Sequence, residues 1–131
     1  MIKFFTKYKI IFYSSNFILI LLYLFPGSLI GCFLYNDCKL QPQITRDYII
    51  SSNHLYAFAI LSLIGFLTYK NSKKIRYLSA YLITVSIFLE IFHNFIPERS
   101  FEYSDLFGNL AGVIIVIIGF NLLKIYENSK N

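Results

Sequence analysis

Side chains that could bind a ligand or catalyse a reaction are concentrated between Glu90 and Gly112, in sequence that is otherwise apolar enough to cross a membrane. A charged group inside a membrane-spanning helix is tolerated where it faces other helices, water or a partner, so Glu90 is a candidate functional residue. His93, Asn94 and Pro97 follow it by three, four and seven residues. That spacing predicts one polar stripe along a helix.

A second polar stripe is predicted in the next apolar segment, where Asp105 and Asn109 are four residues apart and Gly112 follows three residues later. A short turn joins the two segments, so we expect antiparallel neighbouring helices with their stripes at similar depth. An earlier helix is expected to open with a histidine near the same membrane face. The predicted ligand-binding residues are His54, Glu90, His93, Arg99, Asp105 and Asn109.

These residue types suit three different roles. Arginine presents a planar fork of donors to phosphate or carboxylate groups, so Arg99 is expected to hold an anionic ligand. Glu90 or His54 could serve as a general acid or base, which would make the protein a membrane enzyme acting on a lipid-linked phosphate or ester. Alternatively, the polar residues form a structural clasp between helices. The sequence leaves catalysis undecided.

Some of these residues also have purely structural explanations. Asp105 stands where a helix is expected to begin and could be its N-cap, accepting a hydrogen bond from an unpaired backbone N–H. Asn109 could be an interhelical hydrogen-bond donor toward Glu90, and Gly112 is expected to permit close approach of two helices.

A metal site is not predicted, although imidazole and carboxylate groups such as His54, His93 and Glu90 suit zinc. The spacing Glu90-x-x-His93 resembles the motif of di-iron helical bundles, but those bundles require a second copy and this chain has none. No cofactor is predicted either, because the chain lacks a Gly-rich phosphate loop, a CxxC pair and an ordered Ser-His-Asp set.

The composition indicates an integral membrane protein. Of the 131 residues 56% are hydrophobic, and the mean hydropathy is +0.59, well above the usual values of soluble globular chains. The net charge of +5 comes from basic residues that flank apolar segments, where they contact lipid head groups and set topology. Membrane lipids are therefore expected partners, and nucleic acid is not.

Four apolar segments predict an all-α fold, an antiparallel four-helix bundle in the membrane that forms one domain over residues 1–131. The basic N-terminal start lacks a small-residue cleavage site and is expected to be retained as part of the first helix. Pro26 should kink this helix or end it early, and Pro97 should end the third. The predicted helices span about 10–34, 49–69, 77–96 and 105–123.

The distribution of charge predicts the topology. Nine of the twelve basic residues lie in the N-terminal tail, the loop 70–76 and the C-terminal tail. The positive-inside rule then places both termini in the cytoplasm and the polar stripes toward the outside of a multi-pass protein in the inner membrane. Cys32 and Cys38 lie near the outer face, where a disulfide is possible if the compartment is oxidising, and two free thiols are the alternative.

The same residues resemble the pattern of the VanZ-like family of small bacterial membrane proteins. The family has a histidine opening one helix, then E-x-x-Q, a proline, R-x-F, D-x-x-x-N and a glycine. The family's glutamine is replaced here by His93, and the match covers roughly half of the chain, residues 52–119. The matching residues are His54, Phe58, Glu90, Pro97, Arg99, Phe101, Asp105, Asn109 and Gly112.

The resemblance implies a four-helix inner-membrane protein of the cell envelope. Because the founding member is linked to resistance to the glycopeptide teicoplanin, the implied function is an effect on glycopeptide susceptibility. The expected ligand of an outward-facing polar pocket is a lipid-linked cell-wall precursor or a lipoglycopeptide. The resemblance implies neither an enzyme activity nor an oligomeric state.

Overall fold

A computed structural model describes residues 2–130, with side chains from residue 8 onward, and confirms the all-α prediction: this range contains helices and no strand. We number the helices α1 to α5 in chain order. A short 3₁₀ turn, His93–Phe95, directly follows α4. The helices are α1 (Ile2–Leu24), α2 (Leu29–Tyr35), α3 (Ser52–Tyr69), α4 (Ile75–Phe92) and α5 (Tyr103–Ser129).

The predicted interruption at Pro26 is confirmed, since α1 ends at Leu24 and α2 lies at 83° to it, so no continuous helix reaches residue 34. Pro26 disfavours a helical conformation in the residue before it. Gly27 then adopts φ +77°, a conformation that L side chains rarely adopt. Ser28 restarts the helix as an N-cap, with its hydroxyl accepting the Gly31 N–H at 3.0 Å.

The other boundaries also shift from the predicted ones. Helix α3 starts at Ser52 rather than 49, where the Asp47 carboxylate accepts the Ser52 backbone N–H at 2.7 Å. This hydrogen bond lowers the pKa of Asp47. The last turn of α4 tightens into the 3₁₀ turn before Pro97. Helix α5 continues through the polar residues as far as Ser129 instead of ending at 123.

Two helical segments are long and apolar enough to cross a membrane, Ile75–Phe95 and Tyr103–Ser129, and the bent α1–α2 pair is a third if it counts as one broken span. Helix α3 is not among these candidates in the described chain, since polar residues at its start lower its hydropathy. Large apolar side chains such as Phe17 and Ile118 are nonetheless exposed on the lateral surface, as expected where lipid is the solvent.

Helix α3 packs closely against α5, because two glycines of α5 face its backbone. A Cβ atom at Gly112 would lie 2.5 Å from the Leu55 carbonyl oxygen, and one at Gly108 would lie 2.6 Å from that of Ser51. Only glycine permits this approach, so the structural expectation for Gly112 is confirmed. The apolar core lies beneath, where Phe58 of α3, among others, is fully buried.

Candidate functional site

The polar residues of four helices meet at one end of the molecule, around the side chain of Asn109. The amide of Asn109 is fully buried and donates to the Ser86 carbonyl of α4 at 3.1 Å. Its oxygen accepts the Tyr23 hydroxyl of α1 at 2.6 Å and faces His54 Nδ1 of α3 at 3.0 Å. One α5 side chain therefore binds α1, α3 and α4.

These contacts determine where His54 carries its proton. Since the Tyr23 hydroxyl gives its single proton to Asn109, its oxygen can only accept from His54 Nδ1, which lies 3.0 Å away. Nδ1 of His54 is therefore protonated. The opposite nitrogen, Nε2, faces the Asp105 carboxylate at 3.5 Å.

Glu90 is the buried acid of the site and has no exposed surface. Its Oε1 atom accepts the Glu102 backbone N–H at 3.1 Å and lies 3.3 Å from His93 Nδ1. Its Oε2 atom has no hydrogen-bond partner and lies 3.8 Å from His54 Nδ1. Glu90 therefore has hydrogen-bond partners at only one of its two oxygens, and Asn109, a possible donor toward Glu90 from the sequence, donates to Ser86 instead.

His93 is fully enclosed and joins α4 to α1. Its Nε2 donates to the Tyr23 carbonyl at 3.1 Å, and its ring stacks on the Tyr23 ring with centroids 5.6 Å apart. Because Nε2 is the donor, one proton must lie between Nδ1 and the Glu90 oxygen for their contact to be attractive. Asn94, which was predicted on the same stripe, is exposed because the 3₁₀ turn rotates it away.

Arg99, the predicted anion-binding residue, makes no ion pair with Glu90 or with any other carboxylate in the described chain. Its Nε and one terminal nitrogen instead donate to the carbonyls of Phe25 and Leu22, at 3.3 and 3.1 Å. These carbonyls lie at the C-terminus of α1, where a positive charge is favoured. Burial lowers the pKa of Arg99.

Asp105 is not an N-cap, which was one of the two roles that the sequence left open for it. Helix α5 begins at Tyr103, its N-cap position is Glu102, and Asp105 lies within the first turn. Its side chain is 21% exposed and points toward the ring of His54. Asp105 therefore belongs to the polar site.

Above this network lies a polar pocket of about 370 Å³. Its wall carries four carboxylates, Asp47, Glu98, Glu102 and Asp105, but only two permanently basic side chains, Lys39 and Arg99. His54 and His93 form part of the floor. The pocket is therefore polar with a surplus of acidic groups.

A second, apolar pocket of about 320 Å³ adjoins the polar one. Its apolar wall includes Leu29 and Ile30 of α2 and Ala57 and Ile60 of α3. The residues that line both pockets are Ser28, Gln41, Asn53, His54 and Arg99. A disulfide joins Cys32 of α2 to Cys38, which lines the polar pocket, so it ties α2 to this end of the molecule.

The predicted site residues converge, but two participants in the network were not predicted. Ser86 contributes its backbone carbonyl, while its hydroxyl donates to the Ile83 carbonyl, so its residue type gave no signal for this contact. Tyr23 gave no signal either, because a tyrosine near the end of an apolar helix is also expected from interfacial anchoring.

Comparison of the chain with protein-family models, with curated proteins and with solved structures found no match.

Proposed function

We propose that the protein is a VanZ-like protein of the bacterial inner membrane, in which α1, α3, α4 and α5 form an antiparallel bundle with both termini in the cytoplasm. Contacts between the basic segments support this topology. Lys70 pairs with Glu127 near the end of α5. The Thr68 hydroxyl, which donates to the Ile64 carbonyl at 2.7 Å, lies 3.3 Å from the Tyr8 carbonyl near the start of α1. The three segments that carry nine basic residues thus meet at one end.

The opposite end, with the polar pocket, would face the outside. The disulfide between Cys32 and Cys38 supports this orientation independently of charge, because disulfides persist in oxidising compartments and are rare in the cytoplasm.

The proposed function is binding of an amphiphile, either a lipid-linked cell-wall precursor or a lipoglycopeptide, with an effect on glycopeptide susceptibility. The observation that carries the proposal is the junction of the two pockets. The polar pocket suits a head group rich in hydroxyl and amide groups, and the apolar pocket suits a hydrocarbon tail. Both are lined by Gln41, Asn53 and Arg99, so one ligand can occupy both.

Arg99 is the group best placed to hold the head group. A guanidinium has five N–H donors, and two of them are used on the carbonyls of Leu22 and Phe25. The remaining donors are available to a phosphate or carboxylate in either pocket. In this arrangement Arg99 both anchors α1 and binds the ligand.

The test is binding of a purified lipid-linked wall precursor to the full chain in detergent, measured by native mass spectrometry. Ile60→Trp places a large ring in the apolar pocket, and we expect at least about a tenfold loss of affinity, or about 1.4 kcal/mol. Leu67→Trp is the matched control, since Leu67 is exposed on the same helix and lines neither pocket. Equal affinity in both variants would contradict the proposal.

A structural clasp is the second candidate, favoured by the Asn109 network that joins four helices. A clasp alone would satisfy the buried polar atoms of the site, because an unpaired buried group costs about 1–3 kcal/mol. Glu90 Oε2 is buried and unpaired. This atom favours a site that also binds something.

A further inference from the structure

Three side chains from three helices form a compact group beside the polar pocket, which His54 and Asp105 line, whereas Glu90 is buried. One ligand atom each from His54, Glu90 and Asp105 lies within 4.8 Å of the other two. This trio differs from the residues whose types suit zinc in the sequence, His54, His93 and Glu90. His93 is excluded because its Nε2 donates to a carbonyl and its Nδ1 faces Glu90.

The buried oxygen of Glu90 points to a missing partner. Glu90 has no exposed surface, and its Oε2 atom is the one buried carboxylate oxygen in the described chain without a hydrogen bond. The other oxygen is held by the Glu102 backbone N–H and by His93. A carboxylate oriented in this way, with one oxygen anchored and one free, is arranged as a metal ligand supported by its surroundings.

The tautomer of His54, with its proton on Nδ1, is also the one expected of a metal ligand. Its Nδ1–H is held by Asn109 and Tyr23, so neutral His54 has its lone pair on Nε2, facing Asp105. Metal-binding histidines almost always donate their second nitrogen in this manner, which fixes the tautomer and the ring orientation.

We propose that His54 Nε2, Glu90 Oε2 and one oxygen of Asp105 bind a divalent transition-metal ion of the zinc type. Two ligands about 2.1 Å from a tetrahedral ion are roughly 3.4 Å apart, and His54 Nε2 and Asp105 Oδ2 are 3.5 Å apart. Glu90 Oε2 lies 3.8 Å from His54 Nδ1, so the Glu90 carboxylate shifts toward Nε2 when the ion binds. The ion offsets the acidic surplus of the pocket wall. Three protein ligands leave a coordination position open toward the polar pocket, the arrangement that accepts water or an anionic ligand.

The proposal is tested with zinc alone, without any amphiphile, so its outcome is independent of the proposed function. Tag-free full-length protein in detergent is stripped with a chelator and titrated with zinc against a chromophoric chelator. We expect one ion per chain. Both cysteines in the described chain form the disulfide, so thiolates do not compete. Cobalt in place of zinc should give a visible absorption band from imidazole and carboxylate ligation.

Asp105→Asn and His54→Gln should each weaken zinc binding by at least about tenfold, since even supporting residues of metal sites cost 10–100-fold. Glu98→Gln is the matched control, because Glu98 is an acid of the same pocket wall outside the trio. Ile60→Trp should also leave zinc binding unchanged. Thermal melts check that each variant is folded. If His54→Gln misfolds, Asp105→Asn remains as the test variant, because Asp105 lies outside the hydrogen-bond network of Asn109. Absent wild-type binding, or equal affinity in Asp105→Asn and wild-type protein, would overturn the proposal.

Discussion

The helices are held together by different kinds of interaction at the pocket end and at the basic end of the molecule. At the pocket end, Tyr23, Asn109 and His93 make buried hydrogen bonds between helices. At the basic end, the ion pair between Lys70 and Glu127 joins side chains that are 51% and 61% exposed.

The contrast between buried hydrogen bonds and an exposed ion pair indicates which end determines the arrangement of the helices. A polar group buried in a low-dielectric interior must find its partner, so each buried bond favours one arrangement of the helices over its alternatives. An exposed ion pair exchanges readily with water and contributes about 0–1 kcal/mol. We infer that the pocket end specifies how the helices pack. The basic end contributes little to packing, and its charges mainly set the orientation in the membrane.

The largest effect is expected for Asn109→Leu, which removes the partner of three groups on three helices. Since each unsatisfied buried group costs about 1–3 kcal/mol, we expect a loss of about 2–5 kcal/mol in the free energy of unfolding. Lys70→Ala at the basic end should cost no more than about 1 kcal/mol. Denaturation in detergent measures both, and similar losses at the two ends would remove the distinction.

The second largest effect is expected for Gly112→Ala. The new Cβ would meet backbone atoms of α3, with the Leu55 oxygen at 2.5 Å and the Ala59 nitrogen at 2.8 Å. Backbone cannot yield as a flexible side chain can, so we expect a loss of about 1–3 kcal/mol in the same measurement. Gly119→Ala on the same helix is the control. It meets nothing within 4 Å and should be neutral or stabilising by about 1 kcal/mol.

A smaller effect is expected for Arg99→Ala. The substitution leaves the carbonyls of Leu22 and Phe25 without their charged donor, which we expect to cost about 1–2 kcal/mol of stability. It should also weaken binding of the wall precursor. Glu98→Ala in the same turn is the control and should change both quantities less. Glu98 lines only the polar pocket, whereas Arg99 lines both. A greater loss of binding in Glu98→Ala would mean that Arg99 is not the ligand-binding group.

The residues that converge at the site could be predicted because helical spacing places them on stripes at matching depth. Glu90, Asp105 and Asn109 meet as expected. The partners within the cluster could not be predicted. Whether Arg99 reaches Glu90 or the end of α1 depends on where α1 stops, and that is decided by the turn at Pro26 and Gly27.

The proposed metal-binding trio could not be predicted from the sequence for a similar reason. Sequence spacing links Glu90 to His93 on one helix, whereas the structure links Glu90 to ligands on two other helices. Which nitrogen of a histidine is free depends on neighbours remote in the chain, here Tyr23 and Asn109. Such contacts arise from tertiary packing and leave no local pattern.

Photocrosslinking can show whether one amphiphile occupies both pockets. A wall precursor with a photoreactive group in its lipid tail is bound to the full chain, crosslinked and mapped by peptide mass spectrometry. We expect the lipid tail to label Leu29 or Ile30 in α2 and Ala57 or Ile60 in α3, the apolar wall of the second pocket. Excess unlabelled precursor should abolish it. Labelling that is spread over the lateral surface of α4 and α5 and is unaffected by competitor would contradict the binding of one amphiphile in both pockets.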